Sequence, residues 1–581
     1  MNWLKTPLYI GLVRESVELS RTFYEHVLAS LNPIRPWMRN YSRRDLRTDA
    51  VAGLTVAGIL IPQSMAQALL VGVPPVYGLY GILVGSSLAA LWGSSRYVIT
   101  APVAVVSLLT LSALVPLATP GSPEYIALAV ILALLVGLIQ LFAGVFRLGF
   151  LARLIPHSVL IGFSIAAGII IAVLQVPNLL GFSVAQTHLM FTTLRDIVTH
   201  ISSLHPVTAL IGLAALTLVI GIRRAYRTFP IALILLGASI PVSAAFDLHG
   251  LGVATVGAIP AGLPAFFLPN LTLASALQIF GSALVIATIG FMETYAIGTA
   301  LGRPKNEHVS ANQELVGQGV ANVATSFAGG YPVSGSFSAS AVNASSDGRT
   351  PMVSIVLSLA TLTTLLFLTN YLTYLPRAIL AAVVIASVIQ LVRLADIRHA
   401  FFISKSDGWI ALTTFVIALI SKPDTAVIIG IVVALILFVS RVMWARVEEV
   451  CIDPEHNILL PQEESHAGRI DGILIVRPNM SLVYANAEHV IEQMDLLLAR
   501  RESDGRVHTI VVSFAGVNYA DLTGAEAFSE RVLAWRARGL RVCAVTMKYP
   551  VREAIERALH DAPIESFASV AELRRALGIA G

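Results

Sequence analysis

Tyr331-Pro-Val-Ser-Gly-Ser-Phe-Ser-Ala-Ser-Ala-Val-Asn-Ala-Ser-Ser-Asp-Gly-Arg349 lies deep inside a long apolar sequence, yet it is too polar to cross lipid. Irregular, hydroxyl-rich backbone at membrane depth is tolerated only where protein buries it or a watery cavity wets it. The stretch therefore reads as a break in a membrane-embedded chain and as one part of a substrate site.

The chain around it fits that reading. Of its 581 residues, 56 % are hydrophobic and 13 % charged, and the mean hydropathy is +0.77. A soluble chain would carry roughly 25 % charged residues. Apolar runs begin near Ala50 and stop near Trp444, after which the composition becomes mixed and charged. This predicts a polar, basic N-terminal segment over 1–48, a transmembrane transport domain over 49–441, a linker over 442–466 and a water-soluble domain over 467–581. Cys451 and Cys543 both fall in or beside the soluble part. On the cytoplasmic side they are expected as free thiols, not as a disulfide.

A hydrocarbon core about 30 Å thick needs roughly 20 apolar helical residues. Twelve stretches qualify: 50–70, 77–93, 124–146, 156–176, 205–222, 230–246, 270–299, 311–329, 351–370, 376–393, 407–421 and 423–441. Two more, 98–115 and 333–346, are interrupted at Pro102 and Gly335. Alternate connections carry the positive charge, among them Arg96, Arg147, Arg223, Arg224, Arg303, Lys305, Arg349 and Arg441. The opposite set holds only Arg195, Arg377 and Lys422. By the positive-inside rule this asymmetry predicts cytoplasmic N- and C-termini and an even number of spans; the expected location is the cell's inner membrane. The two interrupted segments are the third and the tenth of fourteen, at matching places in two halves of seven. Seven is odd, so the second half would be inserted inverted. Paired interruptions of this kind point to a midplane binding site in a secondary transporter.

Several motifs now resemble those of the SulP-type (sulfate permease) anion transporters. They include Asp49 to Ala66 with its Ile-Pro-Gln-Ser-Met-Ala ending, Val73-Pro-Pro-Val-Tyr-Gly-Leu-Tyr80, Gly93-Ser-Ser-Arg96 and Ala101-Pro102. Gly290-Phe-Met-Glu293, Asn312-Gln-Glu-Leu-Val-Gly-Gln-Gly319 and Gly335-Ser-Phe-Ser338 follow in order. The tail resembles a STAS domain, with Asp521-Leu-Thr-Gly524 at its characteristic turn. The resemblance implies an α-helical membrane protein with fourteen transmembrane segments as a 7+7 inverted repeat. Spans one to four and eight to eleven would form a core and the others a gate, with a cytoplasmic α/β STAS domain attached. It also implies a homodimer, an elevator-like movement and small inorganic anions as substrates. It implies neither an enzyme nor a nucleic-acid partner.

In that fold the third and tenth segments end in helices whose N-termini face each other. Each N-terminus carries free N–H groups and about half a positive charge, so an oxyanion between them needs no basic side chain. The expected donors are Val103 and Ala104 on one side, and Phe337, Ser338 and Ala339 with the hydroxyls of Ser336 and Ser338 on the other. Ser336 and Ser338 also have a plainer role open to them, as helix caps or small packing residues. Gln63, directly after Pro62, would face the same cavity and offer its amide, or else simply bond a neighbouring helix. Glu293 is the most costly core residue, at about 2.5–3.5 kcal/mol for a carboxylate at span centre. Beside an anion it needs a proton or a bound Na⁺, and either would couple uptake to a cation. No other cofactor and no metal is expected.

Two departures from the family pattern bear on the substrate. Gln67 replaces a common aromatic, and Ala339 stands where many members have arginine. Sulfate is the first choice and a monoanion such as bicarbonate, or a carboxylate, the alternative. A passive channel and a sensor built on a degenerate transporter are the more distant ones. In the tail, alternating strands (470–476, 507–513, 540–545) and helices (485–500, 524–538) predict an α/β sheet. Thr523 sits where related soluble STAS proteins are phosphorylated. Capping the next helix is its simpler role.

Overall fold

A computed structural model of the chain describes residues 36–39, 41–150, 156–184, 189–226, 231–257, 259–269, 272–453, 456–461, 469–560 and 563–579. Most of the expected N-terminal segment lies outside the described residues. The chain divides into two compact units, Met1–Ala434 and Leu435–Gly581.

Each of the fourteen expected segments contains a helix, the last of which begins in the first unit and ends in the second. The first repeat comprises α1 Arg43–Val71, α2 Val76–Trp92, the short strand β1 Thr100–Ala101, α3 Ala104–Leu114, α4 Pro123–Val145, α5 His157–Leu180, α6 Pro206–Ala225 and α7 Ile231–Ala245. The second comprises α8 Leu273–Gly302, α9 Ala311–Phe327, the short strand β2 Ser334–Gly335, α10 Phe337–Ser345, α11 Met352–Leu372, α12 Arg377–Val388, α13 Lys405–Ile420 and α14 Pro423–Met443. Among the described residues, eight helices are long and apolar enough to cross a membrane. The chain is a multi-pass α-helical membrane protein.

The most closely packed pairs fall into two sets. One joins α4 with α8 and α9, α1 with α3, α10 and α11, α2 with α9, and α3 with α8. The other joins α5 with α6, α12 and α13, and α6 with α12. The first set falls within the expected core and the second within the expected gate. Small residues let the core helices approach closely. A Cβ on Gly137 of α4 would lie 2.5 Å from the Val323 backbone nitrogen, and one on Gly319 of α9 would lie 2.5 Å from that of Leu141. In lipid, where Leu gains nothing by leaving a tail, this contact between small residues drives association.

The second unit carries a six-stranded sheet in the order β4-β3-β5-β6-β7-β8. Its strands are β3 Val447–Asp453, β4 Ile458–Pro461, β5 Ile473–Pro478, β6 Thr509–Ser513, β7 Arg541–Val545 and β8 Glu565–Phe567. β5 to β8 run parallel, and β3 and β4 add an antiparallel edge. The interval 442–466 is therefore not simply a linker: it supplies two sheet strands. Helices α15 Ala487–Asp504, α16 Leu522–Ala537, α17 Tyr549–Leu559 and α18 Val570–Ala576 complete the unit. One core cluster gathers Met494, Phe514, Phe528 and Trp535, and a second gathers Ile475, Val511, Phe567 and Leu573. Burying both faces of a parallel sheet explains its near-continuous Val/Ile strands. Cys451 and Cys543 are buried free thiols.

Candidate functional site

The two interrupted segments meet. β1 and β2 pair antiparallel, Thr100 opposite Gly335 and Ala101 opposite Ser334. The Ser336 N–H extends the ribbon by donating to the Ile99 carbonyl at 2.8 Å. Each strand then turns directly into a helix, α3 after Val103 and α10 after Ser336. Both caps have extended backbone, with φ −125° and ψ 152° at Val103 and φ −94° and ψ 114° at Ser336. The ribbon is only two residue pairs long and antiparallel, so both helix N-termini flank the same short crossing.

Side chains from four helices hold this ribbon, the Ser86 hydroxyl of α2 among them by donating to the Thr100 carbonyl. On α8, Thr294 Oγ1 accepts from the Gly335 N–H at 2.9 Å, and Ser334 Oγ donates to the Gly290 carbonyl at 2.8 Å. Gly335 permits that approach, since a Cβ there would lie 2.9 Å from Thr294 Oγ1 and 3.0 Å from its Cα. On α9, Gln318 Nε2 donates to Thr100 Oγ1 at 2.7 Å, and Asn322 brackets Val333 through both ends of its amide. On α10, Ser340 Oγ accepts from the Ile99 N–H at 2.9 Å. The connections leading in and out are also anchored. Asp49 Oδ1 accepts from the Arg349 N–H at 2.7 Å, and Glu314 Oε1 accepts from Ser94 and Ser95 N–H groups at 2.7 Å each.

The expected site residues divide accordingly. Val103 caps α3 without a side-chain bond, so the N–H groups of the first turn are open, Ala104 and Val105 included. Val105 was not expected; its place in the first turn would have named it. Ser336 is buried and caps α10, its Oγ accepting from the Ala339 N–H at 3.4 Å and lying 3.4 Å from Ser338 Oγ. Ala339 is thus corrected as a donor: the cap takes its N–H, while those of Phe337 and Ser338 remain without an acceptor among the described residues. Phe337 and Ser338 are exposed and Ala339 is buried. Gln63 is half-buried on α1, one residue past the in-helix Pro62. Gln67 is fully buried, and neither end of its amide has a hydrogen-bond partner. Glu293 is half-buried on α8, next to the Thr294 that holds Gly335, and has no ion pair or hydrogen bond among the described residues. Among the described residues no cluster of His, Cys, Asp or Glu could hold a metal ion.

Thr294, Gln318, Asn322, Glu314 and Asp49 were not anticipated. A signal existed for three: Glu314, Gln318 and Asn322 recur every four residues inside an apolar helix, a one-faced polar stripe. In the soluble unit Thr523 is exposed in the first turn of α16. The expected capping role belongs to Asp521, whose Oδ1 accepts from the Gly524 N–H at 2.8 Å.

The sulfate permease family pattern covers residues 46–414, and the STAS domain pattern covers 466–573. The chain belongs to the sulfate permease family. It is 30% identical over 566 residues to the low affinity sulfate transporter 3 of Stylosanthes hamata, covering 90% of this chain and 86% of that one. The inward-facing murine Slc26a9 anion transporter superposes with a TM-score of 0.87 at 21% identity, covering 95% of each chain. The transmembrane domain of a cyanobacterium bicarbonate transporter, BicA, superposes at 0.59 and 24% identity, over 68% of this chain and 98% of that one. This family member is an anion transporter, not an enzyme.

Proposed function

We propose that the protein is a secondary active importer of an inorganic oxyanion, sulfate first, coupled to protons and working by an elevator-type movement of the core set against the gate set. The observation that carries the reading is the ribbon of β1 and β2 with its two helix starts. Open N–H groups of Ala104 and Val105, and of Phe337 and Ser338, flank one crossing, where two macrodipoles add their positive ends. Gln63 and Gln67 would contribute amides from α1, and the unpartnered Gln67 amide is a buried group that calls for a ligand or water. Sulfate is the substrate named for the curated relative at 30% identity.

Glu293 is the coupling residue in this reading. Among the described residues no cation pairs with this carboxylate, which would repel an anion bound at the ribbon that the neighbouring Thr294 holds. Its protonation removes that repulsion, so anion and proton enter together. Fourteen crossings, cytoplasmic termini in the inner membrane, a homodimer and a regulatory role for exposed Thr523 complete the proposal.

A second reading, sodium-coupled bicarbonate import, is favoured by Ala339: the cradle has no basic side chain at that position and must hold its anion by backbone and dipole. One experiment separates the two. Proteoliposome uptake of labelled sulfate and bicarbonate is measured under imposed proton and sodium gradients. Proton-driven sulfate accumulation is expected, with Glu293→Gln losing accumulation but keeping anion exchange. Accumulation that survives Glu293→Gln removes the coupling role, and sodium-driven bicarbonate uptake installs the second reading.

A further inference from the structure

Helix α9 commits three deeply buried polar side chains to the backbone and hydroxyls of the broken segments and the turn before them. Glu314, Gln318 and Asn322 are each 2 % exposed or less, and their four-residue spacing puts them on one face. Glu314 Oε1 takes the Ser94 N–H, the Ser94 hydroxyl and the Ser95 N–H, each at 2.7 Å, in the turn that leads to β1. One turn on, Gln318 reaches Thr100 in β1 itself. One turn further, Asn322 Nδ2 donates to the Val333 carbonyl at 3.0 Å and Oδ1 accepts the Val333 N–H at 2.8 Å, just before β2.

The geometry has a metric consequence. A helical turn rises about 5.4 Å, and paired strands lie about 4.8 Å apart. Successive turns of α9 therefore address successive strands of the ribbon, one side chain to each. The ruler is stiff, because α9 is locked to α4 where Gly137, Gly144 and Gly319 leave no room for a Cβ. Asn322 is braced in turn: its Nδ2 also donates to Gln140 Oε1 at 3.0 Å, and Gln140 Nε2 donates to the Ala287 carbonyl of α8 at 2.9 Å. The same brace thus ties the ribbon to the helix that carries Glu293.

We propose that this face of α9 is a spacer that sets the gap between the N-termini of α3 and α10. Gln318 and Asn322 are then positioning residues that determine which size of anion the cradle accepts. The inference rests on the anion site proposed at those two helix starts. Hydrogen bonds to the anion weaken steeply with distance and angle, so a small change of gap penalises anions of different radius unequally. A role in packing alone would weaken all of them together.

The test removes one hydrogen bond from either end. In full-length protein reconstituted in liposomes, Gln318→Met deletes the donor and Thr100→Val deletes its acceptor. Uptake of labelled sulfate is competed with selenate, bicarbonate, chloride and thiocyanate. Each variant is expected to shift the ratio of half-inhibitory concentrations between the smallest and largest competitor by roughly tenfold. The double variant should shift it no further, since both changes delete the same bond. Thr100→Ser, which keeps the hydroxyl, should restore the original ratio. If Gln318→Met does not yield monodisperse protein, Thr100→Val and its Ser counterpart carry the comparison. Unchanged ratios, or a parallel loss for every anion, overturn the spacer. Ser338→Trp in the same assay separates the two levels: it should abolish binding of all anions, and unchanged affinity there would instead sink the site itself.

Discussion

The membrane ribbon and the soluble sheet are both built from paired strands, and they are held together in opposite ways. The sheet's central strands β5, β6 and β7 pair over four or five consecutive residues, and apolar clusters cover both faces. Its backbone satisfies itself. The ribbon has two pairs, and backbone N–H and C=O groups in and beside it are finished by side chains from α2, α8, α9 and α10. In a bilayer each group left unsatisfied costs several kcal/mol, so these side chains are obligatory. A strand pair held by its own backbone is hard to displace. One held by side chains takes its position from them, which suits a site that must grip an anion and let it go.

The contrast is broken most severely at Gly335. Gly335→Val would drive a side chain into the Thr294 backbone and hydroxyl, at a cost of roughly 1–3 kcal/mol for overpacking. It should abolish uptake of every anion while the purified protein remains monodisperse. Wild-type uptake by that variant would mean the ribbon is not where transport happens. In the sheet the comparable injury must come from the core. Trp535 is fully buried, and its Nε1–H donates to Asp495 Oδ1 at 3.0 Å. Trp535→Ala should destabilise the soluble unit by about 3–5 kcal/mol, read as faster amide exchange throughout β5 to β7 in the full-length protein. Exchange confined to α16 would show that the sheet does not depend on that core.

The two regions also differed in how much the sequence disclosed. The break at 333–346 was legible because hydroxyls and glycine inside an apolar run have few physical explanations. Ser336 as a cap was legible from its residue type, and capping geometry already implied that it takes the Ala339 N–H. The partners of the ribbon were not legible as pairs. Thr294 lies 41 residues from Gly335 and Gln318 lies 218 from Thr100, and no local pattern joins them. In the soluble unit the parallel strands announced themselves as Val/Ile runs. β3 did not, because Glu448, Glu449 and Asp453 interrupt its apolar run, although it pairs with a strand on either side. It also follows the last apolar helix too closely for composition to mark a start.

The smallest expected effect sharpens the same contrast at the sheet's far edge. Arg541 of β7 donates to both oxygens of Glu565 on β8, at 2.9 and 2.6 Å. These bonds hold the Glu565 carboxyl below its usual range. The Glu565 charge and burial together push the neighbouring Cys543 thiol up to about 12, with burial the larger cause. That thiol therefore stays protonated and unreactive. Because the folded carboxyl is depressed, its contribution is complete above the unfolded value of about 4.3 and is lost as pH falls through the folded value. Both side chains are 44% exposed, so solvent screening limits the pair to at most about 1 kcal/mol. Glu565→Gln should speed exchange at the β7 and β8 amides slightly near neutral pH, and the difference should vanish in acid. A difference that persists undiminished in acid would assign the effect to packing, not to charge. Backbone pairing of Cys543 with Glu565, Ala544 with Ser566 and Val545 with Phe567 stays in place either way, so this edge keeps its register where the ribbon, deprived of a side chain, would not.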